Sequence, residues 1–208
     1  MEKNIYVVFS HTHYRIGKII RALTRGQYNH VSIALDRDLS RMYSFARRYY
    51  STPLLGGFVK ESLCRYHVNG KSSTCSICQI PVSAAQYTAI EKQMDEMYAH
   101  QEQYLYNYLS LLTVPFRRRV PVRNALLCVE FAANILSQLD TSVKEGKFYT
   151  TTDLYTLLAP YSVYTGIMPL PTEQDDGFFK ENPVPHPHTA TIRDMFALLP
   201  RFGKNASP

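Results

Sequence analysis

One cysteine in this chain stands where it could act as a nucleophile. Cys128 lies in the apolar stretch 126–136, whose four-residue spacing predicts a helix with the cysteine in its opening turn, facing inward. Free N–H groups and partial positive charge at a helix start stabilise a thiolate. Asn124 is the predicted N-cap, and Glu130 suits the first turn. The alternative is a buried structural cysteine that behaves as a small hydrophobic residue.

A histidine far upstream could serve as the base for this thiol. His30 lies in the run 28–35, where apolar residues alternate with small ones, and this pattern predicts a strand. His30, Ser32 and Ala34 share the face of small side chains, which leaves room for a close neighbour. A thiol nucleophile needs such an imidazole, and the two residues need only meet in the fold.

A third polar group is needed to orient the imidazole ring. Residues 42–46 are predicted to form the next strand, with Ser44 opposite Ser32 and therefore on the His30 face. Ser44 is the predicted third catalytic residue. Glu61, on the following predicted strand, is the alternative.

Two short motifs carry a family resemblance. HVSIAL at 30–35, followed about a hundred residues later by LCVEFA at 127–132, resembles the permuted branch of the NlpC-type papain-fold thiol hydrolases. That branch includes YiiX-like proteins and the lecithin–retinol acyltransferase group, and in it the histidine precedes the cysteine. The resemblance covers roughly residues 4–168. It implies an α+β, papain-like fold in which an antiparallel sheet packs against the cysteine-bearing helix.

The same resemblance implies a function. It suggests an amidase or peptidase, or an acyl-ester hydrolase or acyltransferase, working through an acyl-enzyme intermediate without metal or cofactor. Cys128 would attack the carbonyl and His30 would serve as its acid–base partner. YiiX-like members are expected to carry an acidic residue on the strand after the histidine, where this chain has Ser44. That departure motivates a second reading, a non-catalytic binding protein on the same scaffold.

Charge points to a third reading, a binder of anionic membrane or nucleic-acid surfaces. Residues 1–60 contain ten Lys/Arg against three Asp/Glu, whereas the remainder has thirteen against fourteen. An amphipathic helix predicted over 14–25 carries much of this excess, and a basic loop lies at 117–119. No recognisable nucleic-acid motif accompanies them. A small-molecule, peptide or lipid substrate is expected, and the charge favours an anionic one.

The other cysteines do not form a framework. Four cysteines at uneven spacing give no disulfide pattern. Cys75 and Cys78 fall in a predicted strand, whose alternation turns their sulfurs to opposite faces, so neither a disulfide nor a metal site is expected between them.

The chain is predicted to form one domain over 1–168 and a proline-rich tail over 169–208. Seven of the twelve prolines lie in the tail, which also holds a predicted capping box at 191–194 opening a helix that ends near Leu199. A further helix is predicted over 83–100, capped by Ser83. The N-terminal apolar run is too short for a signal peptide, so a cytoplasmic protein is expected.

Overall fold

The fold is a mixed α+β arrangement built around one large sheet. The computed structural model describes residues 3–12, 26–52, 54–172, 177–180 and 187–201. Eight strands pair in the order β10-β7-β1-β2-β3-β4-β8-β9, antiparallel throughout except between β8 and β9. Two further strands form a small hairpin. The strands are β1 Lys3–His11, β2 His30–Ala34, β3 Met42–Arg47, β4 Gly56–Glu61, β5 His67–Val68, β6 Lys71–Ser72, β7 Thr74–Val82, β8 Leu105–Tyr106, β9 Ala125–Leu126 and β10 Ser162–Ile167. The predicted α+β class and the large, mostly antiparallel sheet are confirmed.

Five α-helices accompany the sheet in the part of the chain that the structure describes. They are α1 Ala84–Ala99, α2 Tyr108–Thr113, α3 Cys128–Leu136, α4 Thr151–Leu158 and α5 Pro187–Leu198. None of them is both long and apolar enough to cross a membrane. Ser83 caps α1 as predicted, accepting a hydrogen bond from the Gln86 N–H. Helix α5 begins before the predicted capping box, and the helix predicted over 14–25 lies outside the described residues.

Both faces of the sheet are covered by apolar side chains. On one face, Val31 and Ile33 of β2 pack in the same core as Phe131 of α3, and α3 lies across β2 and β3. On the other face, Ala34 and Tyr66 belong to a smaller core beneath the 3-10 helix Leu63–Tyr66. Strand alternation therefore turns His30 and Ser32 away from the face that α3 covers.

The sheet opens between β2 and β3 at the end where His30 lies. The predicted register is correct where the strands pair, because Ile33 faces Tyr43 and Ala34 faces Met42. Pairing stops there, so the expected pairs beyond Ile33 do not form. Strand β3 continues along β4 as far as the pair Arg47–Gly56, and β2 continues along β1 as far as the pair His30–Ser10. The two strands thus diverge next to the helix that carries the cysteine.

Cys75 and Cys78 follow the predicted alternation. Both are free thiols, and Cys75 packs in the smaller core while Cys78 packs in the larger one. Burial raises the pKa of each to about 11, so both side chains are neutral core thiols at physiological pH.

Strand β4, which carries Glu61, is held close to β8 by a glycine. A Cβ on Gly57 would lie 2.2 Å from the Tyr104 carbonyl oxygen. A glycine in a strand interior often marks such a close backbone approach. The backbone at this point cannot accommodate any side chain without moving β8.

We expect Gly57→Ala to lower the free energy of unfolding by about 2 kcal/mol or more, because the clash is with backbone. Urea denaturation followed by circular dichroism measures the loss. Gly166→Ala is the matched control, since its Cβ would meet only the flexible end of Tyr164, and it should cost less than about 1 kcal/mol. Equal losses for the two variants would show that the β4–β8 contact is looser than described.

Candidate functional site

A buried carboxylate orients the His30 ring. Nε2 of His30 lies 2.9 Å from Oε1 of Glu61, and the two side chains are 13% and 3% exposed. Glu61 ends β4 opposite Met42 of β3, so it shares a sheet face with Ser44, two residues along β3. Because the Ser44 side chain is small, the Glu61 carboxylate can pass across β3 to reach the ring on β2. Glu61, the alternative named from the sequence, is therefore a carboxylate in direct contact with the His30 ring.

Ser44 supports the carboxylate instead of the ring. Its hydroxyl donates to Oε1 of Glu61, and the Ser32 hydroxyl donates to the same oxygen at 3.1 Å. The Tyr66 hydroxyl donates to Oε2 at 2.5 Å. The expectation that Ser44 orients His30 is corrected here, because Glu61 reaches Nε2 and takes that role, while Ser44 holds Glu61. Sequence reasoning missed Tyr66, since nothing in its local pattern brings it to this carboxylate.

The histidine and the carboxylate hold each other in their charged forms. Burial opposes ionisation of Glu61, but His30, Arg65 and the Ser44 hydrogen bond outweigh it and lower its pKa to about 2. Burial likewise opposes protonation of His30, but the Glu61 charge and the interaction with Cys128 outweigh it and raise its pKa to about 10. At neutral pH the pair is therefore an imidazolium and a carboxylate.

These shifts define a pH window for stability. The contribution of Glu61 is present above its usual pKa of 4.5 and is lost as the pH falls through about 2. The contribution of His30 is fully present below its usual pKa of 6.5 and is lost as the pH rises through about 10. The ion pair thus stabilises the fold most between these two usual values.

The start of α3 is fixed by a second buried carboxylate. Cys128 is the first helical residue and is 5% exposed. Glu130 accepts hydrogen bonds at 2.8 Å from the Leu127 N–H and from the Ser110 hydroxyl of α2. Burial raises the Glu130 pKa. Leu127, and not Asn124, occupies the N-cap position, because Asn124 lies in a left-handed turn three residues earlier.

The cysteine and the histidine are brought together where the sheet opens. Helix α3 packs on β2 and β3, and Cys128 and His30 are the first residues of their elements. Nε2 is occupied by Glu61, which leaves Nδ1 as the ring nitrogen for the thiol. Interaction with Cys128 is also one of the causes that raise the His30 pKa. Cys128, His30 and Glu61 therefore form one connected set.

A small, mainly apolar depression adjoins Cys128. Its walls come from the loop before β2, from β8, from α2 and the turn after it, and from the loop before α4, and they include Asn29, Tyr106, Leu111, Val114, Phe148, Tyr149 and Thr150. Asn29 is held in place by Thr12, whose backbone N–H donates to Oδ1 and whose carbonyl accepts from Nδ2, both at 2.9 Å. Neither the depression nor Asn29 was anticipated from the sequence, because both depend on which loops meet around the helix start.

Among the described residues, no group of three or more His, Cys, Asp or Glu side chains is placed to hold a metal ion.

Comparison of the chain with models of protein families, with curated proteins and with solved structures found no match. The chemistry of the site has to be inferred from its own geometry.

Removing the Glu61 charge should expose how strongly burial acts on His30. In Glu61→Gln the amide still reaches the ring, but nothing of comparable charge stabilises the imidazolium, so the His30 pKa should fall from about 10 toward or below its usual value. Titration of the ring by NMR measures the change. Ser44→Ala is the control, because it removes one hydrogen bond to Glu61 and leaves the charge, and it should move the pKa far less. A His30 pKa that is the same in Glu61→Gln and wild type would contradict the ion pair.

Proposed function

We propose that the protein is a papain-like thiol hydrolase that cleaves an amide or an ester through an acyl-enzyme on Cys128. One observation carries the proposal. The His30 ring is held through Nε2 by the buried carboxylate of Glu61, while Cys128, at the start of a helix, interacts with the same ring. A nucleophile, a base and a group that orients the base are the parts that covalent acyl transfer requires.

In the first half of the reaction, the Cys128 thiolate attacks the carbonyl carbon and a tetrahedral oxyanion forms. A helix start carries unpaired N–H groups and partial positive charge, and at α3 these would favour the negative charge that forms on the oxygen. The intermediate collapses when the leaving amine or alcohol departs, and it takes a proton from Nδ1 of His30. Cys128 is then an uncharged thioester and His30 is a neutral ring.

In the second half, water attacks the thioester and gives its proton to Nδ1. Acylation removes the Cys128 contribution that raises the His30 pKa. The His30 pKa is therefore lower in the acyl-enzyme than in the resting protein, and the neutral ring can accept a proton from water. Glu61 holds Nε2 throughout, so Nδ1 is the ring nitrogen that exchanges the proton. Collapse of the second tetrahedral intermediate releases the acid and returns Cys128 and His30 to their starting forms.

The geometry also bears on the alternative of a non-catalytic binding protein. The binding-protein reading was motivated by the lack of a carboxylate beside His30, and Glu61 supplies one at 2.9 Å. The histidine-first order and the sheet packed on the cysteine helix support the papain-like arrangement.

The proposal is tested by thiol labelling and ester turnover together. Iodoacetamide should alkylate Cys128 before Cys75 and Cys78, whose thiols burial keeps protonated. A p-nitrophenyl ester should add one acyl group to Cys128, detected by intact mass, and then be hydrolysed. Cys128→Ser should abolish both. His30→Gln keeps a polar partner for Glu61 but cannot transfer a proton, and it should slow hydrolysis by about 10²- to 10⁴-fold.

Cys78→Ala serves as the matched control, because Cys78 is a buried thiol of β7 that pairs with Val7 of β1, and it should leave the labelling of Cys128 and turnover unchanged. Alkylation of Cys128 no faster than that of Cys75 and Cys78, together with no acyl adduct from any ester or amide tried, would contradict the proposal.

A further inference from the structure

The segment that forms one wall of the depression also presents an apolar surface on its outer side. Leu111 of α2 and Val114 of the 3-10 turn Val114–Phe116 line the depression next to Cys128. Leu112 and Phe116 point outward and are 72% and 74% exposed. The two exposed side chains thus lie on either side of the junction between α2 and this turn, four residues apart in sequence, and together they form an exposed apolar pair on the segment that bounds the depression.

This exposure belongs to an ordered turn. The Arg117 N–H donates to the Val114 carbonyl at 2.9 Å, and Arg117 adopts a left-handed conformation, with φ at 53°. The Thr113 hydroxyl donates to the Arg118 carbonyl at 2.6 Å. These bonds close the chain behind Phe116 and hold its ring out toward solvent.

Exposed positive charge lies on the segment that follows the patch and on the loop that this segment contacts. Arg117, Arg118, Lys144 and Lys147 are all exposed, and the Arg117 guanidinium lies 5.9 Å from the ring centre of Phe148, another wall of the depression. Asp153, which pairs with Arg117 at 2.9 Å, and exposed Glu145 are the acidic residues among them. On these two segments and their partner Asp153, four cations against two acids leave a surplus of two positive charges.

We propose that this surface docks the protein on a negatively charged lipid membrane. Leu112 and Phe116 enter the interfacial region, and the surrounding basic side chains contact anionic headgroups. The depression beside Cys128 then opens at the membrane surface. Docking does not depend on the chemistry proposed above, so Cys128→Ser must bind vesicles as the wild type does.

Two other binding partners, a nucleic acid and a second copy of the chain, fit the same features less well. A nucleic acid would use the cations but would gain nothing from Leu112, which has no ring to stack on a base. A second copy of the chain, meeting this face through a two-fold axis, would bring the surplus positive charges against one another. A bilayer matches both the apolar pair and the charge around it.

The test is flotation of the full chain with vesicles of phosphatidylcholine, alone or with one quarter phosphatidylglycerol. We expect binding to the anionic vesicles and little to the neutral ones. Leu112→Ser with Phe116→Ser should weaken binding to anionic vesicles at least tenfold. Arg118→Gln with Lys147→Gln should weaken it severalfold and make the remaining binding less sensitive to salt, while leaving the Arg117–Asp153 pair in place. Ile167→Ser with Leu170→Ser removes two side chains of similar exposure elsewhere, 61% and 75%, and should change binding less than twofold.

The possible outcomes distinguish a membrane from a general polyanion and from a second copy of the chain. No binding of the wild type to anionic vesicles overturns the proposal. Binding that the charge variant loses and the Leu112/Phe116 variant keeps also overturns it, and indicates a general polyanion site that duplex DNA should compete for. A dimer in sedimentation analysis that the Leu112/Phe116 variant dissociates would assign the patch to a second copy instead. Normal vesicle binding without esterase activity would sustain the docking surface and count only against the proposed reaction.

Discussion

The ion pair between His30 and Glu61 is the interaction on which the rest of the site depends. A carboxylate buried this deeply is tolerated only when its charge is compensated, and Glu61 receives hydrogen bonds from Ser32, Ser44 and Tyr66 as well as the imidazolium. Those donors come from β2, from β3 and from the 3-10 helix after β4. The network therefore fixes three parts of the fold around one charge, and because it occupies Nε2 it leaves Nδ1 as the remaining ring nitrogen.

Cys128 is held by a separate network, and the two meet only where the sheet opens. Glu130 ties the start of α3 to α2 through Leu127 and Ser110. The divergence of β2 from β3 beyond Ile33 and Tyr43 is what lets a side chain from the far face of the sheet approach the helix. Helix α2 and the 3-10 turn after it have a double role, because Leu111 and Val114 bound the depression while Leu112 and Phe116 are exposed to solvent.

The sequence was informative where one element's own pattern decides the outcome. Alternation predicted β2, β3 and the opposite orientations of Cys75 and Cys78, and the four-residue spacing predicted α3 with Cys128 at its start. It was misleading where several elements decide together. The role of Glu61 depends on the register of β4 against β3 and on the small size of Ser44, neither of which is a local property. Asn124 has the side chain of an N-cap, but its backbone is left-handed and belongs to a turn that is complete before α3 begins. The exposed patch at Leu112 and Phe116 gave no signal, because leucine and phenylalanine in a short helix ordinarily predict burial.

The central claim is that His30 and Glu61 act as one unit on Cys128, and a double-mutant cycle of ester hydrolysis tests it most directly. Rates are measured for the wild type, His30→Gln, Glu61→Gln and the double variant, with folding checked by circular dichroism. If Glu61 acts only through the imidazole, the double variant should be about as slow as His30→Gln alone, because losses within one catalytic unit are not additive. Losses that multiply in the double variant would show that the two residues act independently, and the account given for the site would be wrong.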